Sequence, residues 1–210
     1  MTLPFTAAEF FGVFARYNDA VWPAQVVLVA AAIAGVLLAA GGGTAASRAV
    51  SGILAALWAW TGLAYHVGFF ASINPAAPAF AAVFVAGAAV FLWQGVVRGR
   101  VRFRVRADAR GAAGFVLVFF ALAVYPAWSL LAGHAYPAMP TFGLPCPVAL
   151  YTVGMLAFAS APRVVYAAPI AWCVVGLQAA WLLGVLQDLS LAPAAALALY
   201  LAARPPAAAA

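Results

Sequence analysis

The chain has 210 residues, of which 69% are hydrophobic and 7% are charged, and its net charge is +6. Soluble domains carry about 25% charged residues, so this composition, with a mean hydropathy of +1.09, excludes a soluble globular domain. The apolar runs are too long for the strands of a membrane β-barrel. The sequence therefore predicts an all-α integral membrane protein.

The chain begins with a short amphipathic segment at residues 6–19. Thr6 and Glu9 have the S/T-x-x-E spacing of a capping box, which marks the start of a helix. The three phenylalanines within residues 10–14 then fall on one helical face. This pattern is typical of a helix that lies in the membrane interface, and we expect such a helix before the first span.

Seven apolar runs follow this segment, and each predicts a transmembrane helix, since about 20 apolar residues cross the hydrocarbon core. The predicted spans cover about residues 20–40, 48–71, 79–97, 111–132, 147–161, 164–186 and 191–203. The last run is only about 20 Å long as a helix, against a core of about 30 Å. We therefore expect it to cross a thinned bilayer or to be re-entrant. The whole chain, 1–210, is predicted to be one transmembrane domain.

Arginines predict the orientation of these spans. Arg48, the six arginines within residues 98–110, Arg163 and Arg204 lie at alternate connections, so they all fall on one side of the membrane. The positive-inside rule makes that side cytoplasmic, which places the N-terminus outside and the C-terminus in the cytoplasm. In a soluble protein such a charge would indicate nucleic acid. Here we predict no nucleic-acid partner, and the expected partner is the lipid bilayer.

The predicted outer loop between the fourth and fifth spans, residues 133–147, reads GHAYPAMPTFGLPCP. Its four prolines exclude a helix, and its apolar residues Met139, Phe142 and Leu144 argue against a solvated loop. Irregular backbone at membrane depth is tolerated only against protein or a water-filled cavity. Two interpretations remain open, a lid or plug folded into the outer mouth and a rigid structural cap.

Most polar residues fall at the predicted outer level of the membrane. The candidate binding residues are His66, Asn74, His134, Tyr136, Cys146 and Asp188. His66 continues a helical face of small residues, so it should point into the bundle, where polar side chains are costly and often functional. The alternative is a histidine that only bonds a neighbouring helix. Cys146, which lies between two prolines, is a candidate N-cap of the fifth span.

Three of these residues, His66, His134 and Cys146, are of types that ligate metals, and Met139 or Asp188 would extend the set. Such ligands suit copper or another transition metal, and haem is a further option. Their spacing matches no known metal motif, so their proximity is inferred from depth alone. Catalytic motifs such as G-x-S-x-G, H-E-x-x-H and a phosphate loop do not occur. An enzyme is therefore not favoured, although Cys146 with a histidine base is a conceivable nucleophile.

Four strings in the sequence carry a family resemblance: FARYNDAVWPAQ (14–25), YHVGFFASINPAA (65–77), GHAYPAMPTFGLPCP (133–147) and VLQDLSL (185–191). Together they resemble a family of uncharacterised bacterial multi-pass membrane proteins, classed as a domain of unknown function. The resemblance implies a bacterial cytoplasmic (inner) membrane protein of this size. It implies no activity and no functional residue.

Three functional hypotheses follow. The first is a small transporter or channel-like protein, with an outward-opening site for a small solute or ion, because His66 points inward and prolines kink the fourth and sixth spans. The second is a metal- or haem-binding membrane protein. The third is a structural or assembly subunit of a membrane complex, with the loop 133–147 as its docking surface.

Overall fold

The computed structural model describes residues 3–204, and most of them are helical. The α-helices are α1 (Ala7–Val21), α2 (Ala24–Gly41), α3 (Thr44–Trp60), α4 (Ala77–Val90), α5 (Ala109–Phe119), α6 (Tyr125–Leu131), α7 (Pro145–Ala157), α8 (Ala167–Gly176), α9 (Gln178–Leu182) and α10 (Leu191–Ala203). Three π-helical turns, Thr61–Val67, Phe91–Val97 and Phe120–Val124, extend α3, α4 and α5. Short 3-10 helices occur at Phe70–Ser72, Arg163–Tyr166 and Leu186–Ser190. Two-residue strands, β1 (Arg102–Phe103) and β2 (Ala159–Ser160), pair antiparallel.

Within residues 3–204, six continuous helical stretches are long and apolar enough to cross a membrane. They are Ala24–Gly41, Thr44–Ser72, Ala77–Val97, Ala109–Leu131, Arg163–Leu182 and Leu186–Ala203. The chain is thus a mostly helical protein with the composition of a multi-pass membrane protein.

Two helix boundaries differ from the sequence predictions. The last apolar helix is not short, because a 3-10 turn at Leu186–Ser190 lengthens it to 18 residues. The helix before it ends at Leu182 rather than at residue 186. The chain turns there at Gly184, whose φ of +72° is accessible to glycine at little cost.

The short helix is instead α7, with 13 residues. It forms the centre of the bundle, and every one of its residues except Cys146 is buried. It packs against α5, α8 and α10. The Tyr151 hydroxyl donates to the Ala32 carbonyl at 2.8 Å, and the Trp58 indole donates to the Thr152 hydroxyl at 2.9 Å. These bonds fix α7 against α2 and α3.

One end of the bundle, here called the arginine end, contains the connections 41–44, 98–108 and 158–163. Asp108 caps α5 by accepting from the Gly111 amide at 2.9 Å and pairs with Arg106 at 2.7 Å, and these bonds lower the pKa of the Asp108 carboxyl. Arg110 is not a free surface charge. Its guanidinium donates to the Ala157 carbonyl at 2.7 Å and to the Leu156 carbonyl at 3.2 Å, so it satisfies carbonyls at the end of α7.

The opposite end, here called the α1 end, contains α1 and the connections 72–77, 132–144 and 183–190. The capping box predicted at Thr6 and Glu9 is confirmed, with both reciprocal hydrogen bonds present. Hydrogen bonds from the Thr6 amide and hydroxyl lower the pKa of Glu9. The apolar face of α1 buries Phe10, Val13 and Phe14 against the bundle.

Close backbone approach between α5 and α7 generates a prediction. A Cβ added at Gly154 would lie 2.9 Å from the Gly114 carbonyl oxygen and 2.9 Å from Val118 Cγ2. Gly154→Ala should therefore lower the free energy of unfolding by about 1–3 kcal/mol, measured by thermal unfolding in detergent. Gly12→Ala, in the open surface of α1, is the matched control and should be neutral or stabilising by up to about 1 kcal/mol. Equal stability of the two variants would contradict the close packing.

Candidate functional site

Above the buried start of α7 the chain is irregular, from residue 132 to residue 144. Met139, Phe142 and Leu144 are buried, at 9%, 6% and 1% exposure. The predicted apolar loop is therefore folded against the protein. Leu144 rather than Cys146 is the N-cap of α7, which corrects the sequence prediction, because Pro145 is already helical. Proline fits the first helical position, where its missing donor is not needed.

Asn18 of α1, which is fully buried, holds this loop in place. Its side-chain amide donates to the carbonyls of Pro137 at 2.6 Å and Met139 at 2.8 Å. Its side-chain oxygen accepts from the Thr141 hydroxyl at 2.7 Å and from the Gln25 amide at 2.8 Å. All the polar atoms of the Asn18 side chain are thus used in binding the loop and the start of α2.

A second contact fixes the end of the loop at Gly143. Its φ is +105°, and an added Cβ would lie 2.6 Å from Leu28 Cδ1, so only glycine fits here. The Gly143 carbonyl oxygen lies 2.9 Å from the Thr61 hydroxyl. Nearby, the Trp60 indole donates to the Tyr17 hydroxyl at 2.7 Å, and burial raises the pKa of Tyr17 to about 12. The loop and α1 therefore form one fixed unit on top of the bundle.

Beneath this unit lies a cavity of about 140 Å³. Its wall is mainly apolar, and a third of its lining residues are Phe, Tyr or Trp. The aromatic side chains of the wall include Phe10, Phe14, Tyr65, Phe70, Phe80 and Trp172. The rim includes Gln178 and Leu182, which are exposed. The cavity thus combines an apolar interior with access from the surface.

A buried carboxyl, that of Asp188, lies in the cavity wall with 2% exposure. The Tyr125 hydroxyl donates to its Oδ1 at 2.5 Å. The Cys146 thiol adjoins the same carboxyl and the indole nitrogen of Trp172. Tyr125 reaches this position at the end of the π-helical turn Phe120–Val124, where the backbone widens ahead of Pro126.

His66 lies in the same cavity wall, within the π-helical turn Thr61–Val67. It is fully buried, and within residues 3–204 neither of its ring nitrogens has a hydrogen-bond partner. Its ring packs 5.1 Å from the ring of Trp172 and 5.8 Å from that of Phe80. An unpaired buried polar group costs about 1–3 kcal/mol. His66 is therefore not the structural histidine of the alternative interpretation, which requires a bond to a neighbouring helix.

The structure brings four of the six candidate residues, His66, Asn74, Cys146 and Asp188, to the wall of this one cavity. Asn74 also accepts from the Ala76 amide at 2.9 Å and so shapes the turn before α4.

The remaining two candidates lie outside the cavity wall. The ring of His134 stacks on Phe11 with centroids 3.8 Å apart. The exposed Tyr136 donates its hydroxyl to the Asn18 carbonyl at 3.1 Å.

The three residues considered for a metal are not brought together, because His134 is separate from His66 and Cys146. Across residues 3–204, no group of three or more His, Cys, Asp or Glu side chains is close enough to hold a metal ion. A haem is also far too large for a cavity of about 140 Å³, since even pockets for drug-sized ligands measure about 300–1,000 Å³. The residues of this site thus fit neither a metal ion nor a haem.

Sequence reasoning missed Asn18, Tyr125 and Trp172. Asn18 could have been found as an amide on the apolar side of an amphipathic helix. Tyr125 was considered only as part of a kink with Pro126, and its role depends on Asp188, 63 positions away. Trp172 carried no polar signal that distinguishes it from the other tryptophans of the spans.

The Asn18 contacts generate a prediction. Asn18→Asp replaces the donating amide with an acceptor that faces two carbonyl oxygens, so the free energy of unfolding should fall by at least about 2 kcal/mol. Limited proteolysis should also cut the loop 132–144 faster. Asp19→Asn, at the exposed neighbouring position, is the control and should change stability by less than about 0.5 kcal/mol. If Asn18→Asp behaved as this control does, the loop would be held by other contacts.

Comparison with known proteins gives one family match. No curated protein and no solved structure matches the chain. The model of a family described as "Family of unknown function (DUF6064)" matches residues 7–208, which is nearly the whole chain. The chain therefore belongs to this family of unknown function.

Proposed function

We propose that the protein is a small transporter or channel-like membrane protein whose solute site is the cavity beneath α1. The observation that carries this proposal is His66, fully buried in the cavity wall with both ring nitrogens unpartnered. Polar side chains inside a membrane bundle are costly and mark substrate or ion pathways. Asp188, Cys146 and Asn74 complete the site, whereas His134 and Tyr136 hold its cover.

We further propose that the chain passes through a bacterial cytoplasmic membrane seven times, with α7 as the short, enclosed passage, and with α1 outside and the C-terminus in the cytoplasm. Arg48, the six arginines within 98–110 and Arg163 all lie at the arginine end, where strand β1 pairs with β2 and Arg102 contacts Thr44. Arginine-rich connections favour the cytoplasmic side. The cavity would then open outward.

Several features of the cavity wall suit a site that opens and closes. The hydrogen-bond pattern of the helix that carries Trp172 changes at Leu177, between α8 and α9, although the backbone there stays helical. His66 and Tyr125 lie in or beside π-helical turns, which are frequent at functional sites.

Thiol labelling tests the cavity and its direction. Cys146 is the one partly exposed cysteine, and Cys173 is fully buried. We expect the membrane-impermeant cationic reagent 2-(trimethylammonium)ethyl methanethiosulfonate to form a mixed disulfide with Cys146 in right-side-out vesicles much faster than in inside-out vesicles. Intact mass spectrometry would show one adduct per chain.

Two variants control this experiment. Cys146→Ala should lose the adduct, and Cys173→Ala should keep it. Modification that requires unfolding would contradict an accessible cavity, and modification only in inside-out vesicles would contradict its outward opening.

A further inference from the structure

We propose that the cavity recognises a small organic ammonium ion, namely a primary amine on a compact apolar body. This assignment rests on the proposed function of the cavity as a solute site and specifies the ligand class. Its basis is the combination of three features: a buried carboxyl that has no cationic partner among residues 3–204, an imidazole that has no hydrogen-bond partner among the same residues, and aromatic rings in the wall.

The charge of the site favours a cationic ligand. Asp188 is buried, and its polar neighbours are neutral groups: the Tyr125 hydroxyl donates to its Oδ1, and the Cys146 thiol adjoins the carboxyl. In the part of the chain that the structure describes, the only ion pair joins Arg106 to Asp108 at the opposite end of the bundle. Arg16, the arginine of α1, is exposed and donates to Ser72 at 3.4 Å. Neutral neighbours do not balance the charge of a buried carboxylate, so a cationic ligand would supply the missing counter-charge.

The second argument is the chemistry of the wall. Rings of Phe70, Phe80 and Trp172 surround the His66 ring, with centroid distances of 5.9, 5.8 and 5.1 Å. Aromatic faces attract ammonium groups and also pack against apolar ligand atoms. An ammonium group has three donors, which match the carboxylate of Asp188 and an acceptor nitrogen of neutral His66. Both groups line the one cavity.

The third argument is size. An engineered cavity of about 150 Å³ accepts benzene, and this cavity measures about 140 Å³. A ligand of about six to eight non-hydrogen atoms therefore fits. Benzylamine has this size and carries the required charge at neutral pH. Benzyl alcohol and benzoate have nearly the same shape as benzylamine, but benzyl alcohol is uncharged and benzoate is negatively charged.

Calorimetric titration of the detergent-solubilised protein with these three compounds tests the proposal, with detergent alone as the blank. We expect wild-type protein to bind benzylamine at least about tenfold more tightly than benzyl alcohol, because hydrogen bonds to charged groups are the stronger ones. Benzoate should bind least. Asp188→Asn should reduce benzylamine affinity to that of benzyl alcohol, and Asp19→Asn should leave it unchanged.

The outcomes separate this inference from the proposed function. Equal binding of benzylamine and benzyl alcohol would overturn the ammonium assignment but leave a solute cavity in place. If none of the three compounds bound, and none of them slowed the modification of Cys146 by the thiol reagent, both the ammonium assignment and the proposed solute site would be overturned. If Asp188→Asn did not fold, the comparison of the three compounds on wild-type protein would still decide the ligand class.

Discussion

The short length of α7 is the constraint on which the rest of this structure depends. Its 13 residues rise about 20 Å, whereas the hydrocarbon core of a bilayer is about 30 Å thick. Because α7 is enclosed on all sides, both of its ends lie inside the protein. Arg110 satisfies the carbonyls at one end. At the other end the space is filled by irregular chain, which must find partners for its own backbone groups.

The loop 132–144 fills this space, and Asn18 supplies the partners. The cavity remains where neither the loop nor α1 reaches the start of α7. Pro145 and Pro147 remove two amide donors from that start, so the helix adds few backbone polar groups to the cavity. The polar character of the site comes instead from side chains, chiefly His66, Cys146 and Asp188.

The surroundings of Asp188 and His66 indicate the kind of ligand that the cavity would bind. Among residues 3–204, Asp188 has a hydroxyl donor in Tyr125 but no cation, and the His66 ring nitrogens have no hydrogen-bond partner. Both raise the free energy of the protein without a ligand, because a buried carboxylate without a counter-charge and a buried imidazole without a hydrogen bond are destabilising. Their combination in one aromatic cavity is most simply explained by a ligand that pairs with both. The same groups would reject an anion of equal shape.

The sequence predicted helices of membrane type, an inward His66 and an apolar, proline-rich loop, because composition and helical periodicity carry those signals locally. The sequence placed His66 and Asp188 at a similar depth in the membrane, because the position of a residue along a span of known length indicates its depth. It could not predict the hydrogen bond between Asn18 and Met139, which is 121 positions away. Two residues at the same depth in the membrane need not be neighbours around the bundle. For the same reason His134 was grouped with His66 although it stacks on Phe11.

The most direct test of the account is the side-chain ¹⁵N NMR spectrum of histidine-labelled protein, titrated with benzylamine. The chain has two histidines, and a His134→Gln variant assigns them. We predict that the imidazole signals of His66 shift saturably as it gains a hydrogen-bond partner, while those of His134 stay fixed. Unchanged His66 signals throughout the titration would contradict the claim that its ring nitrogens belong to a ligand site.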